Sequence, residues 1–241
     1  MMMIAAPMPS HSKRNGRGGA VLHRPRSNQD ITRLHDLATR LRGRSVPGVR
    51  MSEKEFEAWG DPDVRAEWVN REVILLSPSN LRHIKLAIWL TTVLDTIVRH
   101  RQLGEVYAEP MIRLVQVRQQ RSPDVVFVSR ARRKLLHETY IDGPPDLVME
   151  IVSPDSVSRD WHDKYVAYEA SGVREYWVID LQSQRVEAYS LGRDGAFRAI
   201  TETDGRIRSK VVRPFFLRPQ WLWKIPLPDP RTALKEMGIR H

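Results

Sequence analysis

The chain of 241 residues contains no cysteine, which removes disulfides, thiolate metal sites and cysteine nucleophiles together. It also lacks any apolar run near the roughly 20 residues that a bilayer span requires. Its opening Met-Met-Met-Ile-Ala-Ala-Pro has neither a charged start nor an adequate apolar core for export. These absences point to a cytoplasmic protein with no membrane partner. Histidines are present, but not in pairs at ligand spacing: His83, His100, His137 and His162 each stand alone, and a lone histidine reads first as a surface or capping residue. Acidic residues are scarce at the start. Residues 1–50 hold ten Lys or Arg against Asp30 and Asp36, a net +8, while the whole chain carries +10. The remainder is close to neutral, so the phosphate attraction that a basic balance implies is concentrated in this extension.

What the chain does contain divides into three parts. Residues 1–50 read as a basic, largely disordered extension, aperiodic and rich in Ser, Arg, Gly and Pro up to residue 29. A short basic helix follows over 30–43, with Ile31, Leu34, Leu37 and Leu41 on one face. A folded domain is expected over 51–224, opened by a capping box at Ser52 and Glu55. Residues 225–241 form a proline-rich arm and a short helix. Within the domain a hairpin is expected over 66–76, then a long helix whose broad apolar face runs from Leu81, Ile84 and Ile88 to Ile97 and Val98. A strand broken by Pro110 comes next, and 118–122 reads as a polar turn. Apolar strands begin at Asp124 and cover 147–152, and a helix over 161–171 is closed by Gly172. Two hairpins complete the domain. This order predicts an α/β fold: one mixed β-sheet flanked by helices.

Two carboxylates break the apolar pattern. Glu150 lies inside Leu147-Val-Met-Glu-Ile-Val152, a strand buried on both faces, and Asp124 heads Asp124-Val-Val-Phe-Val128 directly after a proline. An ionised carboxylate in such a strand needs a cation or several donors. Two of them on adjacent core strands suit magnesium (or manganese), which favours hard oxygen ligands. Taken singly, Asp124 could cap a turn and Glu150 could sit in a buried ion pair with an arginine such as Arg113. A lysine at position 152 would share the Glu150 face, but Val152 stands there, and Lys164 on the following helix is the nearest replacement. Its bland alternative is a surface pair with Asp160, and Tyr168 falls on the same helix face. Glu67 and Glu72 could reach the site from the hairpin, but read first as solvated.

The ordered motifs Ser122-Pro-Asp124, Gly143-Pro-Pro-Asp-Leu-Val-Met-Glu150-Ile-Val-Ser-Pro, then Asp160, Lys164 and Tyr168, then Gly172-Val-Arg-Glu-Tyr-Trp-Val-Ile-Asp180 resemble the Uma family of restriction endonucleases. This family is a branch of the PD-(D/E)XK nuclease superfamily. The likeness runs from about Met51 through Trp221-Leu-Trp and includes the Glu67-Trp-Val-Asn-Arg-Glu-Val hairpin, Ser77-Pro78 and His83. It implies a restriction-endonuclease-like fold and a divalent metal (Mg2+ or Mn2+) at Asp124 and Glu150. It also implies catalysis by Asp124, Glu150 and Lys164, and DNA as partner, cut at phosphodiester bonds by metal-activated water. A homodimer is compatible with it, though the sequence identifies no interface. This chain departs from the family at Arg71, where a glycine is usual, and at Ser122, where a glutamine is common. The alternative is a non-catalytic nucleic-acid-binding or regulatory module on the same fold. Retention of Asp124, Glu150 and Lys164 together favours the enzyme.

Overall fold

The structure, a computed structural model, describes residues 49–60, 64–76, 79–152 and 162–239. The expected helix over 30–43, Ser77-Pro78 and Asp160 lie outside the described residues. Strand β1 (Val49–Arg50) pairs with β3 (Glu72–Leu75), so the ladder begins two residues before Met51. Helix α1 (Glu53–Trp59) carries the expected capping box: Ser52 Oγ accepts from the Glu55 N–H, and the Ser52 N–H donates to Glu55 Oε2 at 2.6 Å. Its Phe56 and Trp59 are buried with Met51 and with Trp68 of β2 (Ala66–Val69).

Strands β2 and β3 form the expected hairpin. Its two central residues, Asn70 and Arg71, both have positive φ, 50° and 70°. Positive φ at both positions defines the tight turn whose twist matches the flanking strands, and it explains why glycine suits position 71.

Helix α2 (Leu81–His100) is capped by the Asn80 side chain, which accepts from the His83 N–H at 2.9 Å. Its apolar face is narrower than expected. Leu86, Leu90, Val93, Leu94, Ile97 and Val98 are buried, whereas Leu81, Ile84 and Ile88 are exposed. Helix geometry accounts for the split, because those three lie roughly 120–180° around the axis from Leu90.

Among the described residues the strands form two six-stranded sheets rather than one, with a small separate ladder of β13 (Ile207–Arg208) and β14 (Phe216–Leu217). The segment expected as a polar turn is the cause: Gln119–Arg121 is strand β6, pairing with β2 on one side and with β5 (Met111–Leu114) on the other. Its side chains are polar because their partners are. Gln120 donates to Glu53 and Glu57 of α1, and Arg121 to Gln119 and Glu67. Strand β8 (Tyr140–Asp142) completes this sheet in parallel with β5.

The second sheet runs β12 (Phe197–Ala199), β11 (Arg185–Leu191), β10 (Glu175–Asp180), β9 (Leu147–Ile151), β7 (Val125–Ser129) and β4 (Gly104–Ala108). Only β9 and β10 pair in parallel. One face, with Leu147, Met149, Ile151 and Trp177, packs on α2 and on α4 (Pro219–Leu222) and α5 (Pro230–Glu236) of the closing segment. The Trp89 indole donates to Pro228 O at 2.7 Å, tying that segment to α2. The other face, with Val126, Val148, Val152 and Val178, packs on Tyr168 of α3 (Lys164–Ser171) and on Ile112, Leu114 and Ile141 of the first sheet. Glu150 therefore points into the layer between the sheets, where α3 also inserts.

The hairpin supplies a direct test. Arg71 holds a left-handed conformation that costs an L-residue about 1–2 kcal/mol and glycine nothing, while glycine gives up more chain entropy on folding. Arg71→Gly should raise stability by roughly 0.5–1 kcal/mol in urea unfolding. An unchanged or lowered midpoint would contradict this turn geometry.

Candidate active site

The register of β7 on β9 pairs Val125 with Met149. Asp124 immediately precedes that ladder, and continuing its register by one residue sets Asp124 beside Glu150 at the end of the strand pair. The Asp124 carboxylate also reaches across the ladder. Its Oδ2 accepts from the Ile151 N–H at 2.6 Å, and its Oδ1 lies 2.9 Å from His83 Nε2. Backbone and imidazole together orient this carboxylate, which is almost fully buried.

Glu150 is held from the opposite layer. Tyr168 donates its hydroxyl to Glu150 Oε1 at 2.7 Å, and Lys164 Nζ sits 2.9 Å from Oε2. Lys164 and Tyr168 are four apart on α3 and so share one helical face. Lys164 is 6% exposed, which excludes a surface role, and Arg113 instead pairs with Glu53 and Glu57. Burial first, and then the negative charges of Glu150 and Glu67, push the Tyr168 hydroxyl well above its ordinary range, so it remains a donor.

Glu67 is the largest departure from expectation. It is wholly buried, facing Arg121 of β6, which is 1% exposed. Arg121 Nη1 donates to its Oε2 at 2.9 Å, the Ser122 N–H donates to Oε1 at 3.2 Å, and Lys164 Nζ lies 3.7 Å from the same Oε1. Burial alone would raise the Glu67 pKa, but Lys164 and Arg121, with the hydrogen bonds from Arg121 and Ser122, outweigh it and hold the value at about 2. The solvated reading fits Glu72, which pairs with Arg50 at the surface, and fails for Glu67.

The site thus brings together Asp124, Glu150 and Lys164, and adds His83, Glu67, Arg121 and Tyr168. Three carboxylates meet two fixed cations, a balance that suits a further positive ion. Among the described residues no three His, Cys, Asp or Glu side chains gather at metal-binding distance. Two adjacent hard carboxylates still match magnesium, which takes one or two from protein and completes its shell with water and substrate phosphate.

Of the missed residues, His83 had a legible signal. It lies roughly 20° from Leu90 on the helical wheel, inside the buried stripe of α2. Glu67 and Arg121 face each other only because β2 and β6 pair, a link between segments over fifty residues apart.

Comparison with known proteins agrees with this architecture. A solved structure titled as a putative nuclease belonging to DUF820 from Anabaena variabilis superposes with a TM-score of 0.60, covering 72% of this chain and 97% of that one at 17% identity. The two share a mixed α/β fold. The family model described as "Uma2: Putative restriction endonuclease" matches residues 53–213, and the chain belongs to that family. No curated protein matches it. Among the described residues no helix is long and apolar enough to cross a membrane.

The depressed pKa of Glu67 has a consequence for acid stability. A carboxyl whose folded pKa falls from 4.5 to about 2 contributes stability that is complete above pH 4.5 and disappears as pH falls through the folded value, on the order of 3 kcal/mol. Glu67→Gln, which strands Arg121, should cost about 3–5 kcal/mol near neutrality. Urea unfolding of parent and variant should show that gap closing between pH 5 and pH 2. A gap independent of pH would contradict the ionised Glu67–Arg121 pair.

Proposed function

We propose that this protein is a Mg2+-dependent DNA endonuclease, equally served by Mn2+, with Asp124 and Glu150 as the metal-holding carboxylates and Lys164 as the third catalytic residue. The observation that carries this reading is the contact of Lys164 Nζ with Glu150 Oε2 at 2.9 Å, directly across the strand pair from Asp124. It returns a lysine to the carboxylates although Val152 occupies the strand position where one would share their face.

A divalent cation bound there supplies Lewis-acid stabilisation of charge on the phosphate and on the attacking water. The protein's own groups do the rest. The Ile151 N–H and His83 fix Asp124, and the Tyr168 hydroxyl fixes Glu150, so neither carboxylate has to reorganise when substrate arrives. The Lys164 ammonium stands beside the place where hydroxide character develops and offers a proton-bearing positive group to it. Glu67, on the far side of that ammonium, restrains it, and Arg121 holds Glu67. The bond broken is a phosphorus–oxygen ester bond, replaced by one to the water oxygen, and the departing oxygen takes up a proton. The basic residues 1–50 precede the domain at 51–224 and add phosphate contacts that weaken with salt.

Purified protein should nick plasmid DNA with magnesium and not with chelator present. Lys164→Met should lower that rate by about a hundredfold or more while calorimetry still detects metal and the melting transition persists. Asp124→Asn and Glu150→Gln should each lose metal binding. Undiminished nicking by Lys164→Met would remove the lysine from the mechanism. DNA binding without nicking under any metal would point instead to the non-catalytic module.

A further inference from the structure

At the end of α2 remote from His83 the chain gathers cations that the carboxylate site does not use. Arg99 and Arg101 close the helix, and a 3-10 turn after β7 (Arg130–Leu135) carries Arg130, Arg133 and Lys134, all exposed. The Arg130 N–H donates to Leu103 O at 2.9 Å, fastening the two segments together. Arg99, Gln102, Arg130 and Arg133 line a recess of about 570 Å3 whose floor includes Gly104. A Cβ on Gly104 would lie 2.1 Å from Val128 O, so only glycine lets β4 begin this close to β7.

The charge balance is one-sided. Asp95 takes Arg99 at 2.7 Å, and Glu105 is shared between Arg133 at 3.4 Å and the Tyr107 hydroxyl, so the lining holds Arg99, Arg130 and Arg133 against Glu105, with Arg101 and Lys134 exposed next to it in the chain. Arg132 does not belong to the set, since it is half-buried and engaged with Asp146 and Pro144 O. Arg99 lies sixteen positions after His83 on the helix, about 24 Å at 1.5 Å per residue, so the recess is distinct from the carboxylates.

We propose that this recess is a phosphate-binding site for a nucleic-acid backbone, a second contact that holds substrate away from the bond to be cut. Exposed guanidinium forks suit phosphate oxygens. Their spread over two chain segments, rather than convergence on one point, suits a row of phosphates more than a single small anion. A duplex carries a charge every 1.7 Å or so of axis, enough to meet both places at once. The assignment deepens the nuclease reading above and rests on it for the identity of the polymer.

The test uses the full chain, chelator to prevent cleavage, and a labelled 20-base-pair duplex followed by fluorescence anisotropy over a series of salt concentrations. The double variant Arg130→Gln, Arg133→Gln should bind several-fold more weakly, with the slope of log affinity against log salt reduced by about two, alike for unrelated sequences. Its calorimetric metal binding should equal the parent's. Equal affinity and slope in parent and double variant would overturn the proposal. So would saturable binding of inorganic phosphate at constant ionic strength, lost in the double variant while DNA binding stays, because that would make the recess a small-anion site. The two readings fail separately. A shallower slope with no nicking by the parent leaves the recess and removes the nuclease; an unchanged slope with normal nicking does the reverse.

Discussion

The antiparallel pairing of β7 with β9 sets Asp124 against Glu150 in a layer closed by a second sheet and a helix, and the arrangement around them follows from the cost of burying those charges. An isolated ionised carboxylate in such surroundings is prohibitively unfavourable. Each is therefore met by donors from a different part of the chain: the Ile151 N–H and His83 for Asp124, and Tyr168 and Lys164 for Glu150. Four elements remote in sequence converge because two charges had to be satisfied. Removing one partner would leave an uncompensated charge at a cost of about 3–5 kcal/mol, so the site also contributes to the stability of the fold.

The same logic extends one step outward. Lys164 is itself nearly buried and stands between Glu150 and Glu67, and Glu67 in turn requires Arg121. The chain of alternating charges crosses from the second sheet through α3 to the first sheet. It gives the inter-layer contact a polar component beside the packing of Val126, Val148 and Tyr168 on Ile112 and Leu114. A network of this kind is unforgiving when incomplete, and it fixes the relative placement of the two sheets more sharply than apolar contact alone.

Much of this was legible from residues alone, and what was not has a physical reason. Asp124 and Glu150 stood out because a carboxylate inside an apolar strand violates its own pattern, and Lys164 followed from motif order. Leu81, Ile84 and Ile88 were apolar but misplaced, since counting apolar residues along a helix ignores the angle at which each leaves the axis. Glu67 looked solvated because a hairpin glutamate is buried only when another strand covers it. That strand, β6, is polar enough to pass for a turn. Its pairing with β2 also divided the expected single sheet into two. Long-range pairing decided Glu67 and the division of the sheet, and local pattern carries no information about it.

The most direct test of the central claim is a crystal structure of the protein soaked with manganese, with the ion located by anomalous scattering. The account predicts one peak touching both Asp124 and Glu150, with Lys164 still beside Glu150. A peak elsewhere, with none at the two carboxylates, would contradict it.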